Sequence, residues 1–113
     1  MTSERAVGSL EVVVSLWIHP GRVAEFEGYE HKAARIMQRY GGVIQKVVRV
    51  SNAGPSSNGQ PFEVHVLGFP SLEAFHSYRA DSELAGFAAE RSAAISRTEV
   101  LLGEAGPSYG LGE

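Results

Sequence analysis

Few side chains in this 113-residue chain can move a proton near neutral pH: there are four histidines and no cysteine. His65 is the first candidate. It lies within Phe62–Phe69, an apolar run of strand composition, two residues after Glu63. A partly buried imidazole can act as general base or acid near neutrality. A carboxylate beside it, from Glu63 or Glu99, would raise its proton affinity and fix its tautomer, or would pair instead with Arg49. Trp17 offers a flat surface on which an aromatic ligand could stack, with Ser15 next to it on the same strand face. Each residue also has a plainer and commoner use. His65 could hydrogen-bond across an interface, Trp17 could pack there, and the glutamates could form rim ion pairs.

The other histidines carry less. His19 follows an apolar strand and could line a pocket mouth or simply lead into a helix. His31 and His76 fall on helices without a second ligand one turn away. Glu27 and His31 have i,i+4 spacing, which a solvated charge pair explains. Metal-protease, phosphate-loop, dinucleotide-binding and nucleophile-elbow signatures are all missing. No cofactor is therefore expected. A haem role would need an axial histidine on an exposed helix or loop, and the residues single out none.

Thirteen acidic and ten basic residues give a net charge of −3 with no basic stripe. That argues against nucleic-acid binding, which needs clustered cations to neutralise phosphates. The longest apolar stretch, Leu10–Ile18, is about half of a membrane span. The N-terminus lacks the order of a secretory signal. The expectation is a cytoplasmic protein with no membrane and no nucleic-acid partner.

Several elements must position these residues. Leu10–Ile18 alternates, with Leu10, Val12, Val14, Leu16 and Ile18 on one face and Glu11, Val13, Ser15 and Trp17 on the other; both faces are apolar enough for a central strand. After Pro20-Gly21 the spacing becomes helical, and Val23, Phe26, Tyr29, Ala33, Ile36, Met37 and Tyr40 form one stripe until Gly41-Gly42. Val43–Val50 is a second strand. The Gly-, Pro- and Ser-rich segment Ser51–Pro61 is a long loop that could cover a site. Phe62–Phe69 is the third strand. Ser71 caps a second helix, and Asp81 looks like a second cap where that helix kinks or restarts. Tyr78 and Tyr29 sit on helical stripes, where core packing is the ordinary role. Arg97–Gly103 is the fourth strand.

The order strand, helix, strand, strand, helix, strand is the ferredoxin-like β-α-β-β-α-β pattern of an α+β domain. It places both helices on one face of a four-stranded antiparallel sheet. Residues 10–103 form the domain, 1–9 an N-terminal extension and 104–113 a flexible tail. The face opposite the helices is assigned Val13, Ser15 and Trp17 from the first strand, and Glu63, His65, Leu67 and Phe69 from the third. The fourth strand adds Glu99 and Leu101, and the second adds Val47 and Arg49. This face is too apolar for water and has no helix to cover it. A second copy, sheet to sheet about a two-fold axis, would cover it.

Two motifs resemble a known family. Pro20-Gly21-Arg22-Val23-Ala24-Glu25-Phe26 is similar to the helix-one opening of antibiotic-biosynthesis-monooxygenase-like proteins. Gly68-Phe69-Pro70-Ser71-Leu72-Glu73-Ala74-Phe75, with Asp81-Ser82-Glu83-Leu84, resembles a stretch of their uncharacterised relatives, although the proline usual before the glutamate is replaced by Ser82. The resemblance covers roughly residues 10–103 and places the chain in the dimeric α/β-barrel superfamily. It implies a homodimeric barrel, and activities that range from cofactor-independent oxygenases and cyclases to haem-degrading enzymes.

Three readings stay open at this point. The first is a homodimer that holds a small aromatic or polyketide-like molecule between sheet and helices. It would be a cofactor-free oxygenase or cyclase with His65 as proton shuttle and Trp17, Ser15, Tyr29, Phe69, Arg49 and Glu99 around the ligand. The second is a non-enzymatic homodimer that binds a metabolite or only assembles. The third is a haem protein.

Overall fold

Strand β1 (Leu10–Ile18) alternates as its sequence requires: Val12, Leu16 and Ile18 are buried, while Val13, Ser15 and Trp17 are half-exposed. The structure is a computed structural model that describes residues 9–51 and 59–110; most of the Ser51–Pro61 loop, the first eight residues and the last three lie outside the described residues. Helix α1 (Val23–Met37) buries Phe26, Tyr29, Ala33, Ile36 and Met37, five members of the stripe read from the sequence. It tightens into a 3-10 turn at Gln38–Tyr40 and stops at Gly41, whose φ of 75° suits a residue without a Cβ. Gly42 is glycine for a different reason. A Cβ there would collide with the Phe69 ring and the Met37 side chain, so the chain enters strand β2 (Val43–Arg49) pressed against the core.

Strand β3 (Glu63–Phe69) leads to helix α2 (Leu72–Arg79), where the Ala74 N–H donates to Ser71 Oγ at 3.1 Å. The expected second cap is also in place. The Leu84 N–H donates to Asp81 Oδ1 at 2.9 Å and opens the short helix α3 (Ser82–Ala85). The Tyr40 hydroxyl donates to Asp81 Oδ2 at 2.6 Å, which ties the restart to the end of α1. Helix α4 (Ala88–Ala94) runs straight into strand β4 (Ile95–Gly103). The strand order β2-β3-β1-β4, antiparallel throughout, is the one expected for a ferredoxin-like α+β domain. No helix is long and apolar enough to cross a membrane, among the described residues.

Two clusters fill the space between sheet and helices. One gathers Leu16, Ile18, Phe26, Tyr29, Phe62 and Ile95; the other gathers Val12, Met37, Leu67, Phe69 and Phe75. Val14 lies at the margin of both and is only partly buried, although it is in the middle of a central strand. The helix layer therefore does not close over Val14.

The face assignment of β3 and of part of β2 is corrected by the register. Val14 pairs with His65, Val12 with Leu67, Leu10 with Phe69 and Leu16 with Glu63. Residues paired across antiparallel strands share a face, so Glu63, His65, Leu67 and Phe69 point toward the helices and not away from them. The residues on the open face of β3 are Val64 and Val66, opposite Ser15 and Val13. In β2 the ladder slips between Ile44 and Lys46, and the extra residue, Gln45, turns Val47 and Arg49 to the helix side beside His65 and Glu63. The assignments in β4 hold, with Glu99 opposite Ser15 and Leu101 opposite Val13. The open face thus carries Val13, Ser15, Trp17, Val48, Val64, Val66 and Leu101, together with the charged Glu11, Lys46, Arg97 and Glu99.

Candidate functional site

A cavity of about 510 Å³ occupies the gap above Val14. That size lies within the range typical of small-molecule sites, about 300–1,000 Å³. Its floor is Val14, Leu16, His65 and Leu67 of the sheet, with Thr98 and Val100 of β4. Tyr29, Glu30, Ala33 and Met37 of α1 form one wall. Phe75, Tyr78 and Arg79 of α2, Leu84 and Ala85 of α3, and Ala88 and Arg91 of α4 form the other. Ala85, Ala88 and Val100 are exposed, and the cavity reaches solvent along them. The break at Asp81 creates this wall, since a straight continuation of α2 could not bring α3 and α4 back over β4.

His65 is 4% exposed and sits between two carboxylates. Its Nε2 is 2.8 Å from Glu63 Oε1, and its Nδ1 is 3.7 Å from Glu30 Oε1. Glu63 is itself buried, and its other oxygen accepts from Arg49 Nε at 2.7 Å. Arg49 also donates to Glu27 Oε2 at 3.1 Å and lies over the Phe62 ring at 4.6 Å. The arrangement dictates a tautomer. A nitrogen hydrogen-bonded to a carboxylate must carry the proton, so Nε2 donates to Glu63. In the neutral ring Nδ1 is then the free nitrogen, and it lies toward Glu30 at a separation too long for a direct hydrogen bond. The ring is thus a base whose free nitrogen serves the cavity and whose other nitrogen is anchored, with Arg49 holding the anchor.

Burial disfavours the charged forms of Glu30, Tyr29 and Tyr78. Desolvation pushes the Glu30 carboxyl above the usual glutamate range and the Glu63 charge adds to this, while His65 and Arg91 oppose it. Burial raises the Tyr29 phenol, partly offset by Arg91, and raises Tyr78 strongly. Both tyrosines remain hydroxyl donors at neutral pH. A carboxyl whose proton affinity is higher folded than unfolded stabilises the fold below its unfolded value near 4.5. That contribution is lost as pH rises from there through the folded value. Glu30→Gln removes the dependence. The expected result is a variant whose melting temperature falls less than that of the parent from pH 4 to pH 7, measured by circular dichroism; identical pH profiles would contradict the burial argument.

The structure brings together His65, Tyr29 and, through Glu63, Arg49. It does not bring the other sequence candidates to the cavity. Ser15, Trp17 and Glu99 lie on the opposite sheet face, and Phe69 is packed among Val12, Met37, Leu67 and Phe75. Trp17 has its own structural partners there. Its Nε1–H donates to Gly59 O at 3.0 Å, and the Arg97 guanidinium lies 4.3 Å from its ring centre. Glu99 pairs with that same Arg97.

Glu30 and Arg91 are cavity residues that the sequence reading passed over, and a signal for them exists. Glu30 falls on the apolar spacing Phe26, Glu30, Ala33, Met37, and Arg91 on the spacing Leu84, Ala88, Arg91, Ala94. A charged residue inside an apolar stripe marks a place where the helix faces something other than plain core. Among the described residues, no group of three His, Cys, Asp or Glu is placed to hold a metal ion.

No protein-family model matches the sequence, and no curated protein matches it. Solved structures do match in shape. A variant of SnoaB, a cofactor-independent oxygenase from Streptomyces nogalater, superposes with a TM-score of 0.72 at 20% identity, covering 95% of this chain and 100% of that one. A protein of unknown function from Rhodopseudomonas palustris gives 0.72 at 16% identity over 92% and 89% of the two chains. A candidate antibiotic biosynthesis monooxygenase from Caulobacter crescentus gives 0.68 at 17% identity over 88% and 92%. The chain has the fold of these antibiotic biosynthesis monooxygenase-like structures, as its helix-opening motifs implied.

Proposed function

We propose that the chain is a homodimeric acid–base catalyst of the cofactor-independent oxygenase or cyclase kind, acting on a small aromatic or polyketide-like metabolite held in the helix-side cavity. The observation that carries this reading is the buried His65, anchored at Nε2 by Glu63 and Arg49 and presenting Nδ1 to the cavity side. The shared fold with a protein described as a cofactor-independent oxygenase supports it.

The oxygenase chemistry needs no group beyond the side chains, the substrate and dioxygen as the oxidant. Nδ1 takes a proton from an acidic phenol or enol, leaving a delocalised carbanion. That carbanion transfers electron density to dioxygen and forms a carbon–oxygen bond. The imidazolium returns the proton to the peroxide, and loss of water leaves a quinone. In the cyclase version the same carbanion attacks a carbonyl of its own chain. The protein's part is to take and return the proton, to position the ring and to exclude water. Tyr29 and Tyr78 can donate to the developing oxyanion.

Dimerisation belongs to the same reading. Val13, Val48, Val64, Val66 and Leu101 form an apolar surface on the uncovered sheet face, where Leu101 is 69% exposed. The test of the reaction is dioxygen uptake with a polyhydroxylated anthrone. The reading expects uptake above the spontaneous rate, with quinone appearing in step, in metal-free buffer with chelator. Carbon–carbon ring closure without uptake would select the cyclase. No acceleration of either process across a panel of anthrones and linear polyketides would contradict the reading.

A further inference from the structure

Acid–base chemistry at His65 leaves the cations of the cavity without a role. Most basic residues elsewhere are matched to carboxylates: Lys32 to Glu90, Arg39 to Asp81 and Glu83, Arg49 to Glu27 and Glu63, and Arg97 to Glu99. Arg91 and Arg79 both line the cavity, and neither has a carboxylate within ion-pair distance among the described residues. The half-buried Arg91 donates from Nη2 to Thr98 Oγ1 at 2.6 Å and stands beside the Tyr29 hydroxyl. Both partners are neutral. Arg79, at the end of α2, lays its guanidinium over the Phe75 ring at 5.5 Å.

A guanidinium has five N–H donors in a rigid fork, and Thr98 takes one of them on Arg91. A cation partly removed from water with no carboxylate in ion-pair contact is costly, and an incoming anion would relieve that cost. The lining contains one acidic side chain, Glu30, against the two guanidiniums of Arg79 and Arg91, so the wall as a whole is electropositive. The remaining lining is mostly aliphatic or aromatic, which fits a flat apolar body attached to a charged end.

We propose that the ligand of this cavity bears a carboxylate, that Arg91 binds this group through its free donors with Arg79 reinforcing it at the mouth, and that the apolar body then extends over Val14 toward His65. The inference rests on the helix-side cavity being the ligand site, and it adds the chemical class of the ligand: an aromatic or polycyclic acid. Arg91 is here a binding residue and takes no part in proton transfer.

The experiment compares two probes of the same shape, 2-naphthoate and 2-naphthylmethanol, by isothermal titration calorimetry on the full chain at pH 7. A charge-assisted contact favours the acid by about tenfold or more. The preference is expected to vanish in Arg91→Met and to survive in part in Arg91→Lys. Should Arg91→Met lose its far-ultraviolet circular dichroism signal, the preference is read in the parent as a function of KCl, where it is expected to shrink as salt rises. Equal affinity for both probes, or a preference unchanged in Arg91→Met and indifferent to salt, overturns the carboxylate site while leaving the acid–base cavity standing. Failure of both probes to bind up to millimolar concentration overturns it too, and removes the cavity reading with it.

Discussion

Replacing His65 by glutamine is expected to lower kcat/KM about 100- to 10,000-fold in the anthrone oxidation assay, which is what a positioned general base contributes. The glutamine amide can still donate to Glu63, so the buried carboxylate keeps a partner and the fold is retained. What it cannot do is accept a proton on the cavity side. The variant therefore isolates the chemical step from packing, with an unchanged circular dichroism spectrum as the internal check. Glu63→Gln probes the anchor in the opposite sense. Glutamine can present either its oxygen or its NH₂ group to Nε2, so the enforced tautomer is lost while the ring stays in place. Turnover between that of His65→Gln and the parent is the expected result. Parent-like turnover in His65→Gln would remove the histidine from the mechanism, whatever the cavity binds.

Val66→Asp is expected to convert a dimer into a monomer. Val66 is at the centre of the uncovered sheet face, opposite Val13 on one side and Lys46 on the other. In a two-fold sheet-to-sheet pairing the substitution enters twice, once from each copy. Each new carboxylate would have to leave water between the two copies, and pairing it with Lys46 of its own chain would draw a second charge out of water as well, so the cost stays on the order of several kcal/mol. Light scattering should report about twice the 12.1 kDa chain mass for the parent and the chain mass for Val66→Asp. Leu67→Asp, one residue along, would instead place its charge in the core among Val12, Met37, Phe69 and Phe75, and is expected to unfold the chain. A parent that is monomeric at micromolar concentration would end the dimer account.

These two variants also show what the sequence could and could not reveal. Element order was legible throughout, because its signals are local: the period-two run of β1, the 3.6-residue stripe of α1, the Ser71 and Asp81 caps and the glycine stop at Gly41. The face of β3 was not legible. Its two alternating sets, Glu63-His65-Leu67-Phe69 and Val64-Val66-Gly68, are each apolar enough to be inner or outer, and only pairing with β1 decides between them. Leu67 and Phe69 go inward because the space under α1 and α2 needs large side chains. His65 and Glu63 follow by alternation, and are accommodated because Arg49 and Glu30 meet them there. β2 hid its faces behind a bulge at Gln45, which alternation alone cannot register. This one-residue ambiguity moved His65 from an interface with Trp17 and Ser15 to a cavity with Tyr29 and Glu30. The choice of His65 rested on residue type, which the register does not alter. Its assigned neighbours rested on register, and Trp17, Ser15 and Glu99 did not come with it.

The central claim is that ligand chemistry belongs to the helix side of the sheet and self-association to the other side. Methyl chemical shifts test it directly, with 2-naphthoate titrated into the isotope-labelled full chain. The account expects the methyl signals of Val14, Ala33 and Ala88 to move with a common saturation curve, while those of Val13, Val64 and Val66 stay fixed. Movement of Val13, Val64 and Val66 with Val14, Ala33 and Ala88 unmoved would contradict it.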